Sequence, residues 1–162
     1  MRSIPDPGFG GDAGEADPAV TDALQSYTVD GVSAPVIQVL LGSRLLVPVV
    51  SMPTAAPGND HRAEMAAVMI RGTDGRTAQL AFTSMAAMRS WDDTARPVPL
   101  PCRQVARAAL EQGAEAVVVD IRDSCVVLET DVLRHAAAGH RLVRDGAAFA
   151  WVIPVRAERR EG

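Results

Sequence analysis

Apolar and polar positions follow two different periods along this chain, and the changes of period mark its elements. Behind Asp17 and Pro18, Ala19, Val20, Ala23, Leu24 and Tyr27 recur at helical spacing. An N-cap residue followed by proline at the first helical position predicts a helix there. A second short helix is predicted from Ala34 to Leu41, ended by Gly42. From Arg44 the period changes. Leu45 to Val50 is a continuous apolar run that suits a strand buried on both faces, and Pro48 within it removes a ladder donor, which points to an edge or a bulge. The polar stretch Pro53 to Arg62 reads as a loop.

The runs Glu64 to Arg71 and Arg76 to Phe82 flank Gly72-Thr73-Asp74-Gly75 and predict a hairpin. Thr83 or Ser84 caps a short helix ending near Trp91, and Pro97 to Leu100 reads as an extended link into a helix from Pro101 to about Gln112, stopped by Gly113. Ala116 to Ile121, a tight turn, and Cys125 to Leu128 predict two strands. A last helix from Thr130 to about Ala138 closes at Gly139, and Arg141 to Val143 with Ala147 to Val155 flank Asp145-Gly146 as another hairpin. Tight turns join antiparallel neighbours. The expected fold is therefore α/β of the α+β type: a single mixed, mainly antiparallel sheet with helices packed on it. Residues 1–16, rich in Pro, Gly and acids, read as an extended acidic head. Residues 17–156 read as one domain and 157–162 as a polar tail.

Composition changes this picture in three ways. Of the 162 residues, 27 are Ala and only 39 are Val, Leu, Ile or Phe, so the core is Val-rich and modest, yet sufficient for folding. All 16 basic residues are Arg, which excludes a Walker A loop and Schiff-base chemistry on a lysine amine. The net charge of −4 offers no cation excess to displace nucleic-acid counterions, so no nucleic-acid partner is expected. The apolar runs are too short for a signal sequence or a membrane span, and the chain is expected to be cytoplasmic with no membrane partner. Cys102 and Cys125, far apart and outside any CxxC, are expected to be reduced, buried thiols.

The blocks IPDPGFGGDAGEADP, GSRLLVPVV, AFTSMAAMRSWDDTARPVPLP and VARAALEQGAEAVVVD, spread over roughly residues 4 to 139, resemble the SseB-type N-terminal domain of the bacterial enhanced serine sensitivity family. The resemblance implies a small cytoplasmic α/β domain, with 17–156 as its extent, and brings no enzymatic mechanism with it. The hairpin from Arg141 to Val155 lies outside the blocks that carry it.

Cys102-Arg103-Gln104-Val105-Ala106-Arg107 is similar to the Cys-Arg-x-Gly-x-Arg loop of rhodanese-like sulfurtransferases, where a helix N-terminus and Arg stabilise a thiolate. Val105 stands where that loop needs Gly, and Pro101 removes a donor beside the thiol. A small apolar Cys on the core face of a helix is the competing account. His135 and His140, five apart with Gly139 between them, do not share a helix face as an i, i+4 pair would, and His61 is in a loop, so no metal site is expected. Gly8 to Gly11 lacks the preceding strand of a dinucleotide loop, and Ser43 lacks the second glycine of a nucleophile elbow. Asp120 and Asp123 read as turn residues.

Phe9 and Trp91 stand out as aromatics in stretches otherwise rich in Gly, Pro or charge, and they either pin a segment to the domain or anchor a partner. The combined expectation is a non-enzymatic protein-interaction or regulatory domain without a cofactor. Its partner would be a protein, another chain or further copies of this one. The alternative is a sulfurtransferase using Cys102 with Arg103 and Arg107.

Overall fold

In the computed structural model, which describes residues 12–52 and 64–155, the Asp17 carboxylate accepts from the Ala19 N–H and starts α1 (Pro18–Asp30). Gly31, in the left-handed region at φ 70°, turns the chain into α2 (Ser33–Leu41). The strands follow as β1 (Arg44–Met52), β2 (Glu64–Ala67), β3 (Met69–Arg71) and β4 (Thr77–Ala81). Then come α3 (Met85–Trp91), β5 (Arg96–Pro101), α4 (Cys102–Glu111), β6 (Ala116–Val119), β7 (Val126–Glu129), α5 (Thr130–Ala137), β8 (Arg141–Asp145) and β9 (Ala148–Val152).

The mixed, mainly antiparallel α/β fold is as expected, but the strands divide into three small sheets ordered β2-β1-β5, β3-β4-β6-β7 and β8-β9. Pro48 is where the first two part. On one side of β1, Leu46 exchanges backbone hydrogen bonds with Phe82 beyond the end of β4, while Val50 and Met52 pair with β2. Between them Pro48 has no N–H to give, and only its carbonyl accepts, from Val68. The Val68 carbonyl in turn accepts from Leu80 of β4. The segment 64–71 is thus one bent strand that leaves the first sheet and enters the second at Val68.

β5, which reads from sequence as a link, is an edge strand paired with β1 along its whole length. Arg96, Val98 and Leu100 alternate with Pro97, Pro99 and Pro101. That alternation turns every missing N–H toward the open edge, the position in a sheet where proline does least harm.

The main core lies between the sheets and α2, α4 and α5. Leu40, Leu45, Val105, Val117, Val119, Leu128 and Leu133 are all fully buried there. A smaller cluster under α3 gathers Leu46, Leu80, Phe82 and Met88. Trp91 is half-buried with its ring 5.7 Å from that of Phe82, so it pins α3 to this cluster. Phe9 lies outside the described residues, as do His61, the first eleven residues and the tail from 156.

Residues 12–16 are docked on the domain by Arg44. Its guanidinium is paired with the Asp12 carboxylate and also donates to the carbonyls of Glu15, at 2.8 Å, and Thr83, at 2.6 Å. Gly14, at φ +82°, accepts from the Met85 N–H, and a Cβ at Gly14 would overlap Met85 Cγ. Arg44→Ala is expected to release this segment and destabilise the chain by about 1–3 kcal/mol, because Thr83 O loses its charged donor. Amide exchange at Met85 reads the release. The Arg44 pair holds the Asp12 carboxyl at about 2, below its ordinary 3.8. A lowered value means that the pair stabilises the fold above the ordinary carboxylate range and loses that contribution as pH falls through about 2. Acid titration of the same exchange signal checks this.

Candidate functional site

β4 and β6 run parallel, Ala78 opposite Ala116 through Ala81 opposite Val119, connected by α3, β5 and α4. Their carboxyl ends lie side by side, β4 running on through Thr83 into α3 and β6 into the 120–124 loop. Here a cleft of about 520 Å³ opens between α1, α3 and the 120–124 loop. That volume lies within the range of small-molecule sites.

Three groups line the cleft. Thr21, Gln25 and Thr28 come from α1, Ser84 and Ser90 from the start and the last turn of α3, and Thr83, Asp120, Asp123 and Ser124 from the strand ends. Ala16, Leu24, Ala86 and Ala87 supply its apolar surface. Two carboxylates and seven hydroxyl or amide side chains therefore face a space with no Arg or His in its lining among the described residues. This chemistry suits a neutral or cationic ligand with hydrogen-bonding groups and disfavours an anion.

Asp120 is the most constrained residue of the group. It is 3% exposed, and its carboxylate accepts from the Thr83 N–H at 2.8 Å and the Thr83 hydroxyl at 2.6 Å. Burial pushes its pKa above the ordinary 3.8, against the pull of the two Thr83 hydrogen bonds. Its backbone carbonyl accepts from both Asp123 N–H and Cys125 N–H, which closes the loop, and Asp120 and Cys125 both hold positive φ, 52° and 49°. Left-handed backbone at two non-glycine residues stores strain, which concentrates at functional sites. Ser124 Oγ is buried in this loop without a hydrogen-bond partner among the described residues. Asp120 closes the turn, as its place in the sequence indicates, but its carboxylate does not bond locally. Its side chain reaches across to Thr83, two residues past β4, because the parallel pairing sets the ends of β4 and β6 next to each other.

The thiol motif is taken apart by the fold. Cys102 opens α4 with its side chain inward, 1% exposed, and burial pushes its pKa up to about 12. Its N–H donates to Ser43 O, which acts as a helix C-terminal turn. Arg103 and Arg107 run to α5 instead: Arg103 lies beside Gly139, and Arg107 donates to Ala137 O at 3.5 Å. Cys125 is exposed, contrary to the expectation that both thiols are buried, because its left-handed backbone swings it out of the β6–β7 loop. A thiol reagent is expected to modify Cys125 at once and Cys102 only on unfolding, counted by mass spectrometry.

His135 and His140 also meet, contrary to what helical spacing alone predicts. Gly139 at φ +77° turns the chain back, and the facing Nδ1 atoms lie 2.8 Å apart, with His135 stacked on Trp151 at 4.2 Å. Only one proton can sit between those two nitrogens. No group of three or more His, Cys, Asp or Glu suited to a metal ion occurs among the described residues.

The family model for the SseB protein N-terminal domain matches residues 20–135. The chain belongs to the SseB N-terminal domain family. The matched segment carries both parallel strands, α3, the 120–124 loop and α1 from its third residue, so nearly the whole cleft lies within the SseB domain, and the β8–β9 hairpin lies beyond it. No curated protein and no solved structure matches the chain. Among the described residues of this SseB chain, no helix is long and apolar enough to cross a membrane.

Proposed function

We propose that this SseB-family chain is a non-enzymatic regulatory domain that binds a small neutral or cationic molecule in the cleft between α1, α3 and the 120–124 loop. The observation that carries this reading is the strained, closed loop at the ends of the parallel strands. It places buried Asp120 and the Ser124 Oγ, unpartnered among the described residues, against a cleft whose described lining holds no cationic side chain. A partner protein would sense the ligand through α1 and α3, which form two walls of the cleft. Two free cysteines support a reducing compartment, the cytoplasm. Sulfur transfer has no comparable support, since the buried thiol of Cys102 is the opposite of an activated nucleophile.

The test is an NMR titration that follows the amides of Thr83 and Ser124 with ethanolamine, glycerol and inorganic phosphate as probes. Ethanolamine or glycerol is expected to shift both amides saturably, and Asp123→Asn to weaken the ethanolamine response. Phosphate is expected to leave them in place. If phosphate alone moves them, or if none of the three does, the reading fails.

A further inference from the structure

The β8–β9 ribbon has an open edge, and its residues are arranged to accept a copy of themselves. Asp145 and Ala148 flank the two-residue turn Gly146-Ala147, with Gly146 at φ +61°. In a hairpin of this kind the flanking pair exchange backbone hydrogen bonds, and so does every second pair after it. The backbone groups of Ala148, Ala150 and Val152 therefore face β8, and those of Phe149 and Trp151 face away from it. Among the described residues no strand pairs with that outer edge. The side chains of Phe149 and Trp151 turn inward and are half-buried, while Ala148, Ala150 and Val152 are exposed, followed by Ile153 at 60% and Val155 at 88%. From Ala147 to Val155 there is no charge. Edge strands that must stay single usually carry a charge or a proline, or are covered, and β9 itself carries neither, Pro154 lying two residues past its end.

We propose that β9 pairs antiparallel with β9 of a second copy about a two-fold axis at Ala150, forming a four-stranded β8-β9-β9-β8 sheet. In that register Phe149 meets Trp151 of the partner subunit in a hydrogen-bonded aromatic pair, and the reverse pair is formed by symmetry. Ala150 meets Ala150 of the partner subunit at the close, non-hydrogen-bonded position, where a small side chain fits. The charges select a copy of this chain over an arbitrary strand. Arg141 stands opposite Val152 and Asp145 opposite Ala148 on the exposed face. Each outer row across the four strands thus ends in Arg141 on one side and Asp145 of the partner subunit on the other, and no row carries two like charges. The contact does not use the cleft.

Sedimentation equilibrium of the full chain tests this. The wild type is expected to dimerise reversibly. Ala150→Lys and Ala150→Glu each put like charges opposite one another on the axis and are expected to loosen the dimer about tenfold or more, while a mixture of the two restores it. A wild type that stays monomeric at submillimolar concentration overturns the proposal. So does an Ala150→Lys protein that dimerises like the wild type, which would move the interface elsewhere. Position 150 is exposed, so folding is checked by circular dichroism. As an independent readout, Ala150→Cys in a Cys125→Ser background is expected to form a disulfide-linked dimer on oxidation, since opposed residues there lie about 4.5 Å apart at Cα. Absence of that crosslink also sinks the idea.

Discussion

Phe82→Ala is expected to destabilise the chain by about 3–5 kcal/mol, the range for emptying a buried aromatic site. Phe82 is fully buried one residue beyond β4, where its backbone exchanges both hydrogen bonds with Leu46 of the other sheet. Its ring is also the support of Trp91. Removing the ring opens a cavity at the junction of two sheets and a helix, so several elements lose packing together. Urea denaturation measures the loss, and the fluorescence of Trp91 in a Trp151→Phe background is expected to redden in the folded state. Phe82→Leu, which keeps most of the volume, is expected to cost less than half as much. If Phe82→Ala lowers stability by under about 1 kcal/mol, the junction is not where the sheets are joined.

Changes at Asp120 are expected to separate its charge from its hydrogen bonds. Asp120→Ala leaves the buried Thr83 N–H without its acceptor, which costs about 1–3 kcal/mol, and an alanine at φ 52° adds up to about 1 more. Asp120→Asn keeps an acceptor for that N–H and tolerates left-handed backbone, so it is expected to match or exceed the wild type at neutral pH. The sign follows from burial. A carboxyl raised above its ordinary 3.8 binds a proton more readily folded than unfolded, so its contribution to stability declines as pH rises above 3.8 through the folded value. The Asn variant is expected to lack that decline, seen by comparing urea midpoints across mildly acidic pH. An Asn variant as unstable as the Ala variant would show that the ionised charge itself is required.

Local signals accounted for most elements. Asp17-Pro18, Ser84 and Gly113 act where capping and turn chemistry place them, the hairpin around Gly72–Gly75 forms as β3 and β4, and the last hairpin turns at Gly146-Ala147, one residue later than the Asp145-Gly146 signal, with Asp145 paired inside β8. The non-local pairings were hidden. Nothing in Ala116–Val119 says that its second neighbour is β4, about forty residues earlier and parallel, since a four-residue apolar strand suits any partner. The three alternating prolines of β5 look like a linker until the open edge they face is known.

The cleft was illegible for the same reason. Asp120 and Thr83 come together through that parallel pairing, and neither spacing nor residue type announces it. The meeting of His135 and His140 is hidden from a spacing rule that holds only while a helix continues, since Gly139 ends α5 between them. The blocks around GSRLLVPVV and VARAALEQGAEAVVVD did indicate the family, because their order along the chain carries information that no single residue does.

The chain visits the two larger sheets by turns: β1 in the first, β2 and β3 bridging them at Val68, β4 in the second, β5 back in the first, β6 in the second. A backbone cut between β4 and β5 would leave each fragment holding part of both sheets and the whole of neither. The molecule is therefore expected to melt in one step and to resist dissection into smaller folding pieces. A cleaved chain should regain its shape only when both halves are present together.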